Sequence, residues 1–232
     1  MKTVTAQKPA EEVMRYLEKF RSVYVIGCGT CATLCRTGGK AEVLAMKQKL
    51  EDGGRKVTGW MVIPTACDEL TGEALRGAAA EIATADGVLA MTCAMGVQNI
   101  AFYLGKTRAV YPALDTLFLG MEESPGHFTE VCLQCGSCLL GRTAAICPLV
   151  RCAKSLLNGP CGGSTGGRCE ISRDIPCAWQ LIYDRLQETG RLEELDEIVL
   201  VKNWSTSLSG GPRRADIDSE RGVVSGKTEE KK

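Results

Sequence analysis

Histidine is almost missing from this chain: His127 stands alone among 232 residues. That scarcity argues against zinc sites built from mixed cysteine and histidine ligands. Charge of either sign is also not in excess. With 28 basic against 28 acidic residues there is no electrostatic case for a nucleic acid or an anionic membrane surface as partner. No apolar run approaches the length of a membrane span, and the opening MKTVTAQKPAEEV lacks the apolar segment of a secretory signal, so a cytoplasmic protein is expected. Neither a clear acid/base pair nor a convincing flavin-dinucleotide fingerprint is present. The one strand–turn–helix pattern, around Gly27 and Gly29, is a weak variant with Ala32 at the third glycine position.

What the chain has instead is 13 cysteines. Disulfides do not suit a reducing compartment, and the count is odd. Metal is the remaining general answer, and pure thiolate coordination leaves iron–sulfur clusters or four-cysteine zinc. Eight of the cysteines fall within the 46 residues from Cys132 to Cys177. Cys132, Cys135 and Cys138 follow the C-x2-C-x2-C rule of bacterial ferredoxin sites, with Cys147 and its trailing Pro148 further on. Zinc ribbons usually supply two separated C-x2-C knuckles, so this run favours iron–sulfur. The fourth cysteine of such a run ligates the other cluster in two-cluster ferredoxins. On that rule Cys132, Cys135 and Cys138 take Cys177, while Cys147 joins Cys152, Cys161 and Cys169. The alternative division gives Cys147 to the first set and Cys177 to the second. The surrounding glycines and prolines suit a cluster-wrapping loop, and little apolar core is available, so metal is expected to supply much of the folding free energy.

The N-terminal half reads differently. An amphipathic helix is expected over residues 9–20. Three buried strands follow at Ser22–Ile26, Lys56–Ile63 and Gly87–Met91, separated by helices at Ala41–Leu50 and Ala74–Ala85. A further helix is expected at Val97–Leu104 and a fourth strand at Leu114–Gly120. Such alternation predicts an α/β fold with an open, mostly parallel sheet. Ligands in these sheets bind beyond the carboxyl ends of the strands. Cys28, Cys67 and Cys93 each stand just past a strand, with Cys31 and Cys35 in reach, so a second metal site is expected here with one of the five left over. Glu122–Phe128 reads as the boundary, and a lone histidine in a linker is more often not a ligand. The expected organisation is an α/β domain over 1–121, a cysteine-rich domain over 128–200 and a polar tail over 201–232. Ala178–Glu197 is amphipathic, with Trp179, Ile182 and Leu186 on one face. Trp179–Leu186 and the tail are the expected partner surface, with packing of Trp179 on its own domain as the alternative.

GCGTCATLCRTGG, LDTLFLG, CLQCGSC, CPLVRCAKSLLNGPCGG and CAWQLIYDRL together resemble the small iron–sulfur subunits, of the type called MetV, of bacterial methylenetetrahydrofolate reductases. The resemblance spans roughly residues 9–200, and NGPCGG after the ferredoxin-like run is its most specific part. It implies pairing with a larger flavin-containing TIM-barrel subunit that reduces 5,10-methylenetetrahydrofolate to 5-methyltetrahydrofolate. It also implies two or three [4Fe–4S] clusters, or zinc at one site, and leaves room for further redox subunits. The chain itself is then expected to relay electrons without catalysing the reduction. A zinc scaffold for the flavoprotein is the second reading. A thiol redox sensor is disfavoured, because few cationic residues flank the cysteine loops.

Overall fold

The computed structural model describes residues 2–106 and 108–204, together with the backbone of two short strands, Arg214–Ala215 and Val223–Val224. The chain divides into two compact units, Met1–Glu130 and Val131–Lys232.

The first unit is α/β. Its strands β2 (Ser22–Cys28), β3 (Lys56–Ile63), β4 (Gly87–Met91) and β5 (Ala109–Pro112) form an all-parallel sheet in the order β3-β2-β4-β5. The two central strands, VYVIGC and GVLAM, are apolar throughout and buried almost without a break. Continuous apolar runs are what a parallel strand covered on both faces requires. Helices α3 (Lys40–Asp52) and α6 (Ala94–Leu104) pack on this sheet, and α3 contributes Val43, Met46 and Leu50 to the core. The short α1 (Ala10–Tyr16) and the residue after it add Val13 and Leu17, both fully buried.

Several elements differ from expectation. The fourth parallel strand is Ala109–Pro112, not Leu114–Gly120. The latter segment belongs to β6 (Leu114–Ser124), which pairs antiparallel with β1 (Lys2–Gln7) and β7 (His127–Glu130) in a separate sheet of order β1-β6-β7. Glu122–Phe128 is therefore a hairpin rather than a linker, closed at Pro125–Gly126, and His127 sits exposed beside that turn. The alanine-rich helix is split at Ala78 into α4 (Thr71–Gly77) and α5 (Ala79–Ala83).

The second unit is mostly loop. After a single turn, α7 (Pro148–Arg151), its one long helix among the described residues is α8 (Ala178–Glu188), followed by a 3-10 turn at Leu192–Leu195. Its central apolar cluster consists of Ala144, Trp179, Ile182 and Leu186, with Ile146, Leu192, Leu195 and the side chains of Cys152 and Cys177 packed against it. The apolar face of α8 is thus turned inward. Trp179 is 6% exposed and Ile182 and Leu186 are fully buried, so these residues are core and not the expected partner surface. The reason is local: Gly159 lies against the indole ring, where a Cβ would overlap it, and the indole N–H donates to the Leu156 carbonyl at 3.2 Å. The polar tail beyond residue 204 lies outside the described residues, apart from the paired backbone of Arg214–Ala215 and Val223–Val224.

Candidate metal centres

All 13 cysteines are free thiols. In the first unit the strand order changes direction between β2 and β4, and a crevice opens at the carboxyl ends of strands on either side of such a point. Cys28 ends β2, Cys31 opens the short α2 (Cys31–Leu34), Cys67 follows β3 and Cys93 caps the N-terminus of α6. These four, with Thr3, Thr30 and Thr92, line one cavity of about 30 Å3. Cys35 does not line it. Its thiol donates instead to the Thr3 carbonyl of β1 at 3.7 Å.

The loop holding Cys28, Cys31 and Cys35 is fastened closely to the sheet. The Cys28 N–H donates to the Gly38 carbonyl (3.0 Å) and the Gly29 N–H to the Ile63 carbonyl (2.8 Å). Gly38 passes so near β4 that a Cβ there would overlap the Met91 carbonyl. The hydroxyls of Thr5 and Thr37 meet at 2.6 Å, tying the same loop to β1. Although Cys67 is exposed overall, residual shielding of its thiol raises its pKa. Charge on Cys93, Cys28 and Cys31 adds to that rise. Four thiols lining one cavity are a donor set that a cation suits.

In the second unit Cys152, Cys161, Cys169 and Cys177 line a single cavity of about 20 Å3, together with Lys154, Glu170 and Trp179. Backbone bonds fix this arrangement: the Cys177 N–H donates to the Gly167 carbonyl (2.8 Å) and the Cys169 N–H to the Ile175 carbonyl (2.9 Å). Arg168 and Pro176 form an isolated antiparallel bridge beside them. Lys154 is ion-paired with Glu170, whose carboxylate also accepts from the Cys161 thiol at 3.7 Å. The cavity thus brings together the four cysteines of the second set in the alternative division. Cys132, Cys135, Cys138 and Cys147 remain as the complementary set.

In the C-x2-C-x2-C loop the Gln134 N–H donates to the Cys132 sulfur at 3.3 Å. Gln134 and Gly136 both have positive φ, +54° and +83°, which turns the loop backbone toward its own cysteines. N–H groups aimed at sulfur stabilise negative charge on a cluster. Among the described residues, no group of three or more Cys, His, Asp or Glu side chains stands close enough to hold a metal ion directly. The sulfurs share cavities without converging.

One helical criterion is also settled: no described helix is long and apolar enough to cross a membrane. Sequence reasoning missed one feature here, the part played by the segment after Leu195. That segment, residues 197–200, lines a further cavity of about 580 Å3 with Ser137, Cys138 and Leu139.

Neither a curated protein nor a solved structure matches the chain. Residues 111–205, which hold β6, β7 and all eight cysteines of the second unit, match the family model described as methylenetetrahydrofolate reductase C terminal.

Proposed function

We propose that this chain is the iron–sulfur electron-transfer subunit of a methylenetetrahydrofolate reductase, delivering electrons to the flavin of a separate subunit that reduces the folate. The observation that carries this reading is the gathering of Cys152, Cys161, Cys169 and Cys177 from four loop positions around one cavity, inside the segment that matches the reductase family model. The donor chemistry fits: two sets of four thiols, Cys132/Cys135/Cys138/Cys147 and Cys152/Cys161/Cys169/Cys177, suit two [4Fe–4S] clusters with none left over. When bound, such clusters supply one-electron storage. The residues of this chain would hold them, shield them and direct N–H groups at their sulfurs. The small apolar cluster of the second unit is consistent with metal supplying much of its folding free energy.

The first-unit cavity admits a second reading. Its four cysteines, Cys28, Cys31, Cys67 and Cys93, would suit a single tetrahedral zinc, with Cys35, which donates to the Thr3 carbonyl, as the spare thiol. A zinc scaffold for the flavoprotein is therefore the second reading for this unit alone.

Anaerobically purified chain should hold about eight irons with sulfide and roughly one zinc, and its broad visible absorbance should bleach with dithionite. C67S should lose the zinc and C35S should keep it. Mixed with the flavoprotein subunit, the chain should speed reduction of the flavin and show no folate reduction alone. Zinc without iron, or flavin reduced equally fast without this chain by the same donor, would defeat the proposal.

A further inference from the structure

The segment from Glu197 to Trp204 is folded inside out. Ile198, Leu200 and Val201 are 75%, 81% and 94% exposed, whereas Lys202 is 7% exposed, the one buried charged side chain among the described residues. Burying a charge while exposing three large apolar groups runs against solvation at every position. Something fixes the strap in that orientation. The Arg142 guanidinium pairs with Glu197 at 2.6 Å, and the Asn158 amide donates to the Val199 carbonyl (2.9 Å) and accepts from its N–H (2.8 Å). These ties carry Lys202 to the C-x2-C-x2-C loop, where its ammonium donates to the carbonyl of Ser137, between Cys135 and Cys138 in the chain. Its other neighbour is the Trp204 ring, with Nζ 5.8 Å from the centroid. No carboxylate pairs with it among the described residues.

We infer that Lys202 is a positioning residue that raises the reduction potential of the cluster held by Cys132, Cys135, Cys138 and Cys147. This rests on the electron-transfer reading above. One-electron reduction adds a unit of negative charge to a site already bearing four thiolates. A fixed cation shielded from water favours that added charge far more than an exposed lysine would. Its bond to the Ser137 carbonyl also draws the loop dipole away from opposing the electron. The strap thus makes this cluster easier to reduce than it would be with a neutral side chain in place of Lys202.

The test is a dithionite redox titration of the full chain under anaerobic conditions, followed by the paramagnetic resonance of the reduced clusters. Lys202→Met should make one cluster on the order of tenfold harder to reduce, about 59 mV lower for a one-electron couple. The other signals should keep their potentials. Lys202→Arg, which retains the charge, should stay close to the wild type. The shifted signal should be the one that disappears in C135A. If Lys202→Met fails to hold the cluster, Lys202→Gln, which keeps a donor for Ser137 without the charge, should show the same shift. Clusters present with unshifted potentials in the neutral variants would overturn the inference alone. So would an equal shift in Lys202→Arg, or a shift confined to a signal that survives C135A. Absence of any cluster signal from the wild-type chain would overturn the electron-transfer reading with it.

Discussion

Replacing Trp179 by alanine separates a core residue from a partner-facing one. The indole is 6% exposed, sits against the backbone of Gly159 and donates to the Leu156 carbonyl at 3.2 Å. A buried tryptophan removes about 150–250 Å2 from water, which at about 25 cal/mol per Å2 bounds its contribution near 4–6 kcal/mol. Large-to-small replacements of aromatics in cores cost about 3–5 kcal/mol once partial collapse is allowed. The cluster it belongs to holds only Ala144, Ile182 and Leu186 besides, so little can move in to fill the gap. A loss of about 3–4 kcal/mol is expected, a large fraction of the roughly 5–15 kcal/mol that stabilises a small domain. Trp179→Phe keeps most of the area and loses the hydrogen bond, and should cost about 1–2 kcal/mol. Hydrogen exchange of the full, metal-loaded chain reads this directly, through amides in Ala178–Glu188 compared with those in β2 and β4. Exchange in α8 should rise about a hundredfold or more in the alanine variant, while the parallel sheet stays unchanged. If α8 keeps its protection and only binding of the flavoprotein suffers, Trp179 is a docking residue and the packing argument fails.

Gly38→Ala should destabilise the first unit by about 1–3 kcal/mol or more, because its Cβ would meet the Met91 backbone and not a side chain able to swing away; an unchanged melting temperature would contradict this. Asp86 accepts N–H groups from Ser22 and Arg21 at 2.8 Å each, and these bonds hold its carboxyl below the ordinary value. Its contribution is therefore complete above about pH 4 and lost as pH falls through the lowered folded value, so Asp86→Asn should flatten the acid limb of a stability profile. In the second unit, C147S and C177S should each remove a different cluster signal, with C177S matching C161S and C147S matching C135A; the reverse pairing would restore the ferredoxin rule.

The parallel sheet was largely legible because burial on both faces leaves an unbroken apolar run, as in Ser22–Cys28 and Gly87–Met91. The strands that escaped notice had no such mark. Ala109–Pro112 is four residues long, and Lys2–Gln7 and His127–Glu130 carry polar residues along their length. Leu114–Gly120 was legible as a strand but not as an antiparallel one, since side-chain period sets the conformation and says nothing of the neighbour. The alanine-rich segment gave helix without its break at Ala78, where no glycine or proline announces the change. Trp179, Ile182 and Leu186 were legible as one face. Where that face turned depended on Gly159, twenty residues upstream, having no side chain.

Cysteine spacing shows that thiols gather, but partition is decided by what else holds each one. A C-x2-C-x2-C run fixes three positions through one loop, and the identity of the fourth depends on which distant segment the fold returns to that loop. Here three local constraints hold Cys177 beside the cavity that Cys152, Cys161 and Cys169 also line. It bonds through its N–H to Gly167, Pro176 pairs with Arg168, and Ala178 and Trp179, which begin α8, are buried. Two of these three involve no cysteine, so cysteine spacing by itself leaves both divisions open. Cys147 stands where Pro148 starts α7, and this turn carries Leu149 into the interior. The same reasoning applies in the first unit, where spacing left five candidates for four places. Cys31 and Cys35 are four residues apart on one short turn of helix, close enough that either might have served. Cys31 lines the cavity and Cys35 does not, because β1, a strand with no cysteine of its own, presents the Thr3 carbonyl to the Cys35 thiol.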